Sequence, residues 1–293
     1  MVNPDPPAPP PSESAPGVAP LSVEARRNCG NCGARLEGPF CHRCGQDDLD
    51  LDRSLVHFFT EFMGGILNFD SRVWRTVIPL LFRPGEVTAH YLAGRRARFV
   101  PPVRLYLFVS LVYFLMLAWL SGSSAVDVGV GLAEIRSDPE IEGFMQELPA
   151  VLQPFVPGLA RAADDPAVFR KGVIQGVSYL MFVLVPLFGA MLHLLYRNRG
   201  RFYLHHLLLA VHIHVVVFLV LAVSLLMDVA GPAFLERVGG MLRLAIPAHL
   251  FFTLRTVYGG RIWTTGLRTA ALTLAYLLVL ALSLAGLVVA LLL

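Results

Sequence analysis

The sequence predicts a polytopic α-helical membrane protein of about five spans with a small cysteine-bearing head at its N-terminus. Three observations predict it. Hydrophobic residues make up 55% of the 293 and charged residues 15%, with a mean hydropathy of +0.62, well above globular usage. Several apolar runs approach or exceed about 18 residues, the length that reads as a crossing helix. All four cysteines fall in two C-x-x-C pairs near the N-terminus. The net charge is only +3, yet twelve of the 24 basic residues lie between Arg26 and Arg104. Arginine and lysine beside spans set orientation, so placement matters more than the total.

Residues 1–27 are rich in proline, with Ser, Ala, Glu and Gly between. They cannot build an apolar face and read as a disordered tail. No apolar stretch of secretory-signal type follows Met1. The first span is therefore expected to insert the chain and to leave the head in the cytosol, a reducing compartment where disulfides are disfavoured.

The head, 28–46, carries Cys29-Gly-Asn-Cys32-Gly33 and Cys41-His42-Arg43-Cys44-Gly45. Each pair brings two thiolates to one tight turn, and the glycine after it supplies the φ > 0 backbone that aims amides at sulfur. Four thiolates around one Zn²⁺ make a closed, structural site. A segment this small cannot bury a core, so structural zinc would supply its folding energy. Thioredoxin-type chemistry wants a βαβ setting and c-type haem wants a histidine after the second cysteine; neither is present. His42 sits inside the second knuckle and reads as a surface residue. Asp47, Asp48, Asp50 and Asp52 lack the glycine and closing glutamate of a calcium loop and read as a solvated linker.

Residues 54–104 read as cytoplasmic interfacial helices. Leu55, Phe58, Phe59, Phe62, Ile66 and Phe69 recur at helical spacing. Asp70-Ser71 resembles an N-cap for a second helix that Arg83-Pro84-Gly85 ends. A third runs from Glu86 to about Tyr91 and stops at Gly94. Arg83, Arg95, Arg96, Arg98 and Arg104 face either anionic lipid headgroups, at roughly 1 kcal/mol each, or simply the positive-inside rule; both readings stand.

The transmembrane domain, 105–293, divides into spans at about 105–120, 173–196, 204–229, 241–258 and 269–293. Between the first two lies an extracytoplasmic loop, 122–172, in which eight acidic residues outnumber four basic ones. The fourth span is the least regular, with Arg243, Pro247 and Arg255. Five spans with the head inside place the C-terminus outside; a re-entrant fourth would return it inside.

Within the spans, His193, His205, His212 and His249 are candidate cofactor-binding residues, because intramembrane ionisable groups are costly and often functional. Imidazoles there could bind haem, copper or zinc, or relay protons. Hydrogen bonding across helices accounts for them equally, and no carboxylate in those spans orients a metal-bound imidazole. The sequence has no phosphate-binding loop, G-x-S-x-G, H-E-x-x-H or paired intramembrane acids, which disfavours an ATPase, a membrane protease or a proton-coupled pump. Nucleic-acid binding is not expected, since acidic residues balance the arginines near the knuckle.

From Cys-x-x-Cys-Gly and Leu-Glu-Gly-Pro-Phe-Cys-x-x-Cys-Gly-Gln onward the chain resembles an uncharacterised bacterial membrane-protein family, a domain of unknown function. Asp70, Arg75-Thr76, Arg83-Pro84-Gly85, Tyr91, Gly94-x-Arg96 and Pro102-x-Arg104-Leu-Tyr106 carry the resemblance. Tyr203 to His214 and Tyr258-Gly259 extend it. It implies an inner-membrane protein with a cytosolic zinc head, and no activity. Three functions follow as expectations. The first is a non-enzymatic adaptor or regulatory scaffold whose head binds a cytosolic protein partner. The second is a transporter or lipid-handling protein, and the third a membrane enzyme with a histidine-bound cofactor.

Overall fold

The computed structural model describes residues 28–46, 72–120, 149–150 and 153–293. The expected tail, the acidic linker, the helix over 54–69 and most of the loop 122–172 lie outside the described residues. Two compact units divide after Asp48. Among the described residues every regular element is helical, apart from one isolated bridge between Asn28 and Arg35.

Among the described residues the helical unit has α1 (Arg72–Phe82) and α2 (Glu86–Leu92), followed by α3 (Pro102–Leu120). A short α4 (Val156–Asp164) precedes α5 (Pro166–Tyr196) and α6 (Tyr203–Val229). Then come α7 (Ala233–Leu244), α8 (Ile246–Tyr258) and α9 (Ile262–Leu292). Four of these, α3, α5 with the turn after it, α6 and α9, are long and apolar enough to cross a membrane. They coincide with four of the expected spans, though α5 starts at Pro166, where Asp165 caps it by accepting from the Val168 amide at 3.0 Å.

The central helix is α6, with α3, α5 and α7 packed around it. Its run from Leu208 to Val216 is buried throughout. That explains its near-continuous apolar sequence, since a helix enclosed by others has no face left for polar residues. Phe218 of α6 meets Tyr113 and Phe114 of α3 at ring separations of 5.3 and 5.5 Å. A Cβ on Gly189 of α5 would lie 3.2 Å from Leu207 Cα, so α5 and α6 approach closely there.

Side-chain contacts give each helix its direction. His193 near the end of α5 meets His206 near the start of α6, so these two are antiparallel. Ser224 near the far end of α6 meets Gly239 of α7, and Asp228 pairs with Arg243 at 2.6 Å. Tyr258, the last residue of α8, returns to His206 at 2.6 Å. The α7–α8 pair therefore retraces the length of α6 from one end to the other. Arg268 of α9 stands over Tyr196, and Leu287 and Leu291 reach Gly176 and Gly172 at the start of α5. The passes of α5, α6, α7–α8 and α9 alternate in direction.

The expected span over 241–258 is thus not one helix. It is the end of α7 and all of α8, broken at Ala245. Pro247 has no amide to donate to the Arg243 carbonyl four residues back, which removes one helical hydrogen bond at the break. At 13 residues, α8 is only about 20 Å long, short of a bilayer core of about 30 Å.

Ahead of α3, a clamp holds the chain. Thr76 Oγ1 donates to the Arg72 carbonyl at 2.7 Å and accepts from the Val100 amide at 2.9 Å. Tyr91 Oη donates to the Val100 carbonyl at 2.8 Å. Both polar groups of the Val100 peptide are thereby satisfied in a buried place, where leaving one unpaired costs about 1–3 kcal/mol. The clamp aims Pro101-Pro102 into the first turn of α3, where a missing amide is harmless.

Candidate metal centre

The head is built from one local geometry used twice. The Gly33 amide donates to the Cys29 carbonyl at 2.9 Å and the Cys29 amide to the Ala34 carbonyl at 2.7 Å. Four residues after Cys41 the pattern repeats: Gly45 to Cys41 at 2.8 Å and Cys41 to Gln46 at 2.8 Å. Gly33 and Gly45 have φ of 73° and 68°, the left-handed backbone that the spacing predicts. The two turns face one another and bring four sulfurs together.

Cys29 Sγ lies 3.6 Å from Cys44 Sγ, and Cys32 Sγ 3.6 Å from Cys41 Sγ. All four are within 4.8 Å of one another. These separations are far longer than a disulfide of about 2.05 Å. A regular tetrahedron with metal–sulfur bonds of about 2.3 Å has edges of about 3.8 Å, so the set fits one metal ion with little adjustment. Cys29 and Cys41 are buried and Cys32 and Cys44 half-buried, while His42 is exposed.

Nearby amides favour the thiolate form at the second knuckle. The Cys44 amide, with that of Arg43, holds the Cys41 thiol below its ordinary value. Burial pushes Cys44 up, but the Gln46 amide, the Asn31 side chain and neighbouring sulfurs outweigh it and bring the thiol to about 7. At Cys32 the Ala34 amide lowers the thiol, and burial together with the three other sulfurs overrides it, to about 11. A divalent cation would offset the repulsion among thiolates held this close together.

The candidate histidines do not gather. His193 sits 5.1 Å, ring to ring, from His206 at one end of α6, and His205 lies beside Phe202 at 6.0 Å. Deeper in, His212 Nδ1 meets Thr88 Oγ1 at 2.9 Å and its ring packs edge-on against Tyr91. His249 Nε2 donates to the Leu80 carbonyl at 2.9 Å. That carbonyl is free because its helical partner four residues on is Pro84, which has no amide. His212 and His249 both line a cavity of about 10 Å³, the size of one water. Among the described residues, the cysteines alone form a set of three or more ligands close enough for a metal.

Two further histidines of α6 also make polar contacts. His206 is fully buried against Tyr258, and His214 bridges the Ala210 carbonyl and Tyr276 Oη at 2.8 Å each. Their partners lie 52 and 62 positions away, and no local pattern marks them. Of the arginines, Arg83, Arg95 and Arg98 are exposed and Arg96 and Arg104 half-buried. Arg83 and Arg95 border an open depression with His90 and Glu86, and Arg83 pairs with Glu86 at 3.4 Å.

The fold and the site together define a class: a helical protein with four membrane-length helices and a separate head that can hold one metal ion on four cysteines. Residues 70–114, the stretch from the Thr76 clamp into α3, match a family profile described as a protein of unknown function, DUF3667. No curated protein and no solved structure matches the chain.

Proposed function

We propose that the protein is a bacterial inner-membrane adaptor whose zinc head faces the cytosol and engages a protein partner there. The observation that carries this reading is the closed arrangement of four sulfurs, which leaves no coordination position for substrate. The zinc assignment rests on the all-thiolate set and its tetrahedral spacing. The small cavity beside His212 and His249 lends no support to a transport route or a histidine-bound cofactor. A chain lacking residues 1–46 should lose at least one specific partner that cross-links to the intact protein in cells, by about tenfold or more on the scale of interface hot spots. An unchanged set of partners contradicts the adaptor role.

The orientation follows from charge. Arg197, Arg199, Arg201, Arg255, Arg261 and Arg268 stand at one end of the bundle, where α5, α6, α8 and α9 meet, and the positive-inside rule makes that end cytosolic. With α7–α8 crossing as a broken fourth span, the chain passes five times and its C-terminus lies outside. A reporter fused after Leu293 should give an extracytoplasmic readout. A cytoplasmic readout contradicts the fourth crossing.

A further inference from the structure

Two helices of the bundle reach the α1–α2 turn through histidines. His249 Nε2 of α8 donates to the Leu80 carbonyl of α1, and His212 Nδ1 of α6 meets Thr88 Oγ1 of α2, each at 2.9 Å. Each imidazole has a second nitrogen. His249 Nδ1 has Thr253 Oγ1 at 3.4 Å, longer than a well-formed hydrogen bond. His212 Nε2 has no hydrogen-bond partner, on a residue that is 2% exposed. A buried polar atom left unpaired is costly, and native structures rarely keep one.

His212, His249 and Thr253 line one cavity, with Leu80, Val87 and Val216 among its other walls. All of these but His249 are buried. The cavity volume of about 10 Å³ admits one water and no organic molecule. No Asp, Glu or Cys lines it, so a cation would meet no countercharge there. Cavities that stay empty are apolar, whereas a buried water takes about three hydrogen bonds. Here His212, His249 and Thr253 can supply them.

We propose that this cavity binds one ordered water, held by His212 Nε2, His249 Nδ1 and Thr253 Oγ1. His249 carries its proton on Nε2, toward Leu80, so the neutral ring leaves Nδ1 as an acceptor to which the water donates. His212 suits either tautomer, because a water both donates and accepts. A hydrogen-bonded chain then runs from Leu80 through His249, the water and His212 to Thr88, joining α1, α8, α6 and α2. Both of its ends lie within residues 70–114, the stretch that matches the family profile. The water thus ties that stretch to α6 and α8. Neither the zinc head nor the direction of the crossings enters, so failure here leaves the adaptor reading untouched.

The test is nuclear magnetic resonance on the full-length protein in detergent with isotope-labelled histidine. The carbon-bound ring proton between the two nitrogens should show a cross-peak to a long-lived water at His212 and at His249. His214 is the internal control: both of its nitrogens are bonded to protein groups, and it should show none. Val87→Ile adds one methyl at the cavity wall. It should displace the water, abolish the His212 cross-peak and lower the thermal midpoint by about 2–4 °C. In a dry cavity the same methyl fills a void, and the midpoint rises or stays where it is. The site is overturned by a wild type with no cross-peak at His212, by one of equal strength at His214, or by a Val87→Ile protein no less stable than wild type. The wild-type spectrum decides the matter even if the variant fails to fold.

Discussion

Stripping the metal from the head should unfold it while leaving the helical unit intact. The head is too short to bury a core, and its order rests on two turns meeting around four sulfurs. Structural zinc contributes on the order of 10–16 kcal/mol in peptides of this size, more than any other single interaction described for this chain. A strong chelator under reducing conditions should make all four thiols react rapidly with a thiol reagent, where before chelation they react slowly. The helical signal in circular dichroism should stay unchanged, because the helices belong to the other compact unit. Equal thiol reactivity before and after chelation contradicts a metal-dependent fold.

Gly85→Ala should destabilise the helical unit strongly. Gly85 lies at φ 83° between α1 and α2, in the region where a side chain costs about 1–2 kcal/mol. A Cβ there would also stand 2.8 Å from Thr256 Cβ and 3.0 Å from the Thr253 carbonyl of α8. One neighbour is backbone, so relief requires α2 to move from α8. Overpacking of that kind costs about 1–3 kcal/mol, and together the effects come to roughly 2–5 kcal/mol. Thermal unfolding of the solubilised protein should show a clearly lowered midpoint. Gly286→Ala in α9 meets nothing within 4 Å and serves as the control, neutral or slightly stabilising through helix propensity. Equal midpoints for Gly85→Ala and wild type contradict the packing of α2 on α8.

These two sites show how far the sequence could be read. The cysteine knuckles were legible because the information is local: two C-x-x-C-Gly turns specify their own geometry, and the spacing between them is short. The four long helices were legible because composition over a window of helical length is enough. Gly85 was legible as the end of α1, from Arg83-Pro84-Gly85, but its contact with Thr253 and Thr256 was not. That contact joins segments far apart in the chain, and no local period records it. His212 and His249 were visible as unusual residues in apolar runs. Hydrogen bonding across helices was foreseen for them, but their partners, Thr88 and the Leu80 carbonyl, are 124 and 169 positions away, so which groups they meet could not be. The break at Ala245 lay between: Pro247 disfavours a continuous helix, yet mean hydropathy over 241–258 still reads as one span.

Metal content tests the central claim most directly. Full-length protein, purified with reductant and without added metal, should carry one zinc per chain by element-resolved mass spectrometry, and Cys41→Ser should lose it. Stoichiometric iron, or no metal at all in the reduced wild-type protein, would contradict a zinc head held by Cys29, Cys32, Cys41 and Cys44.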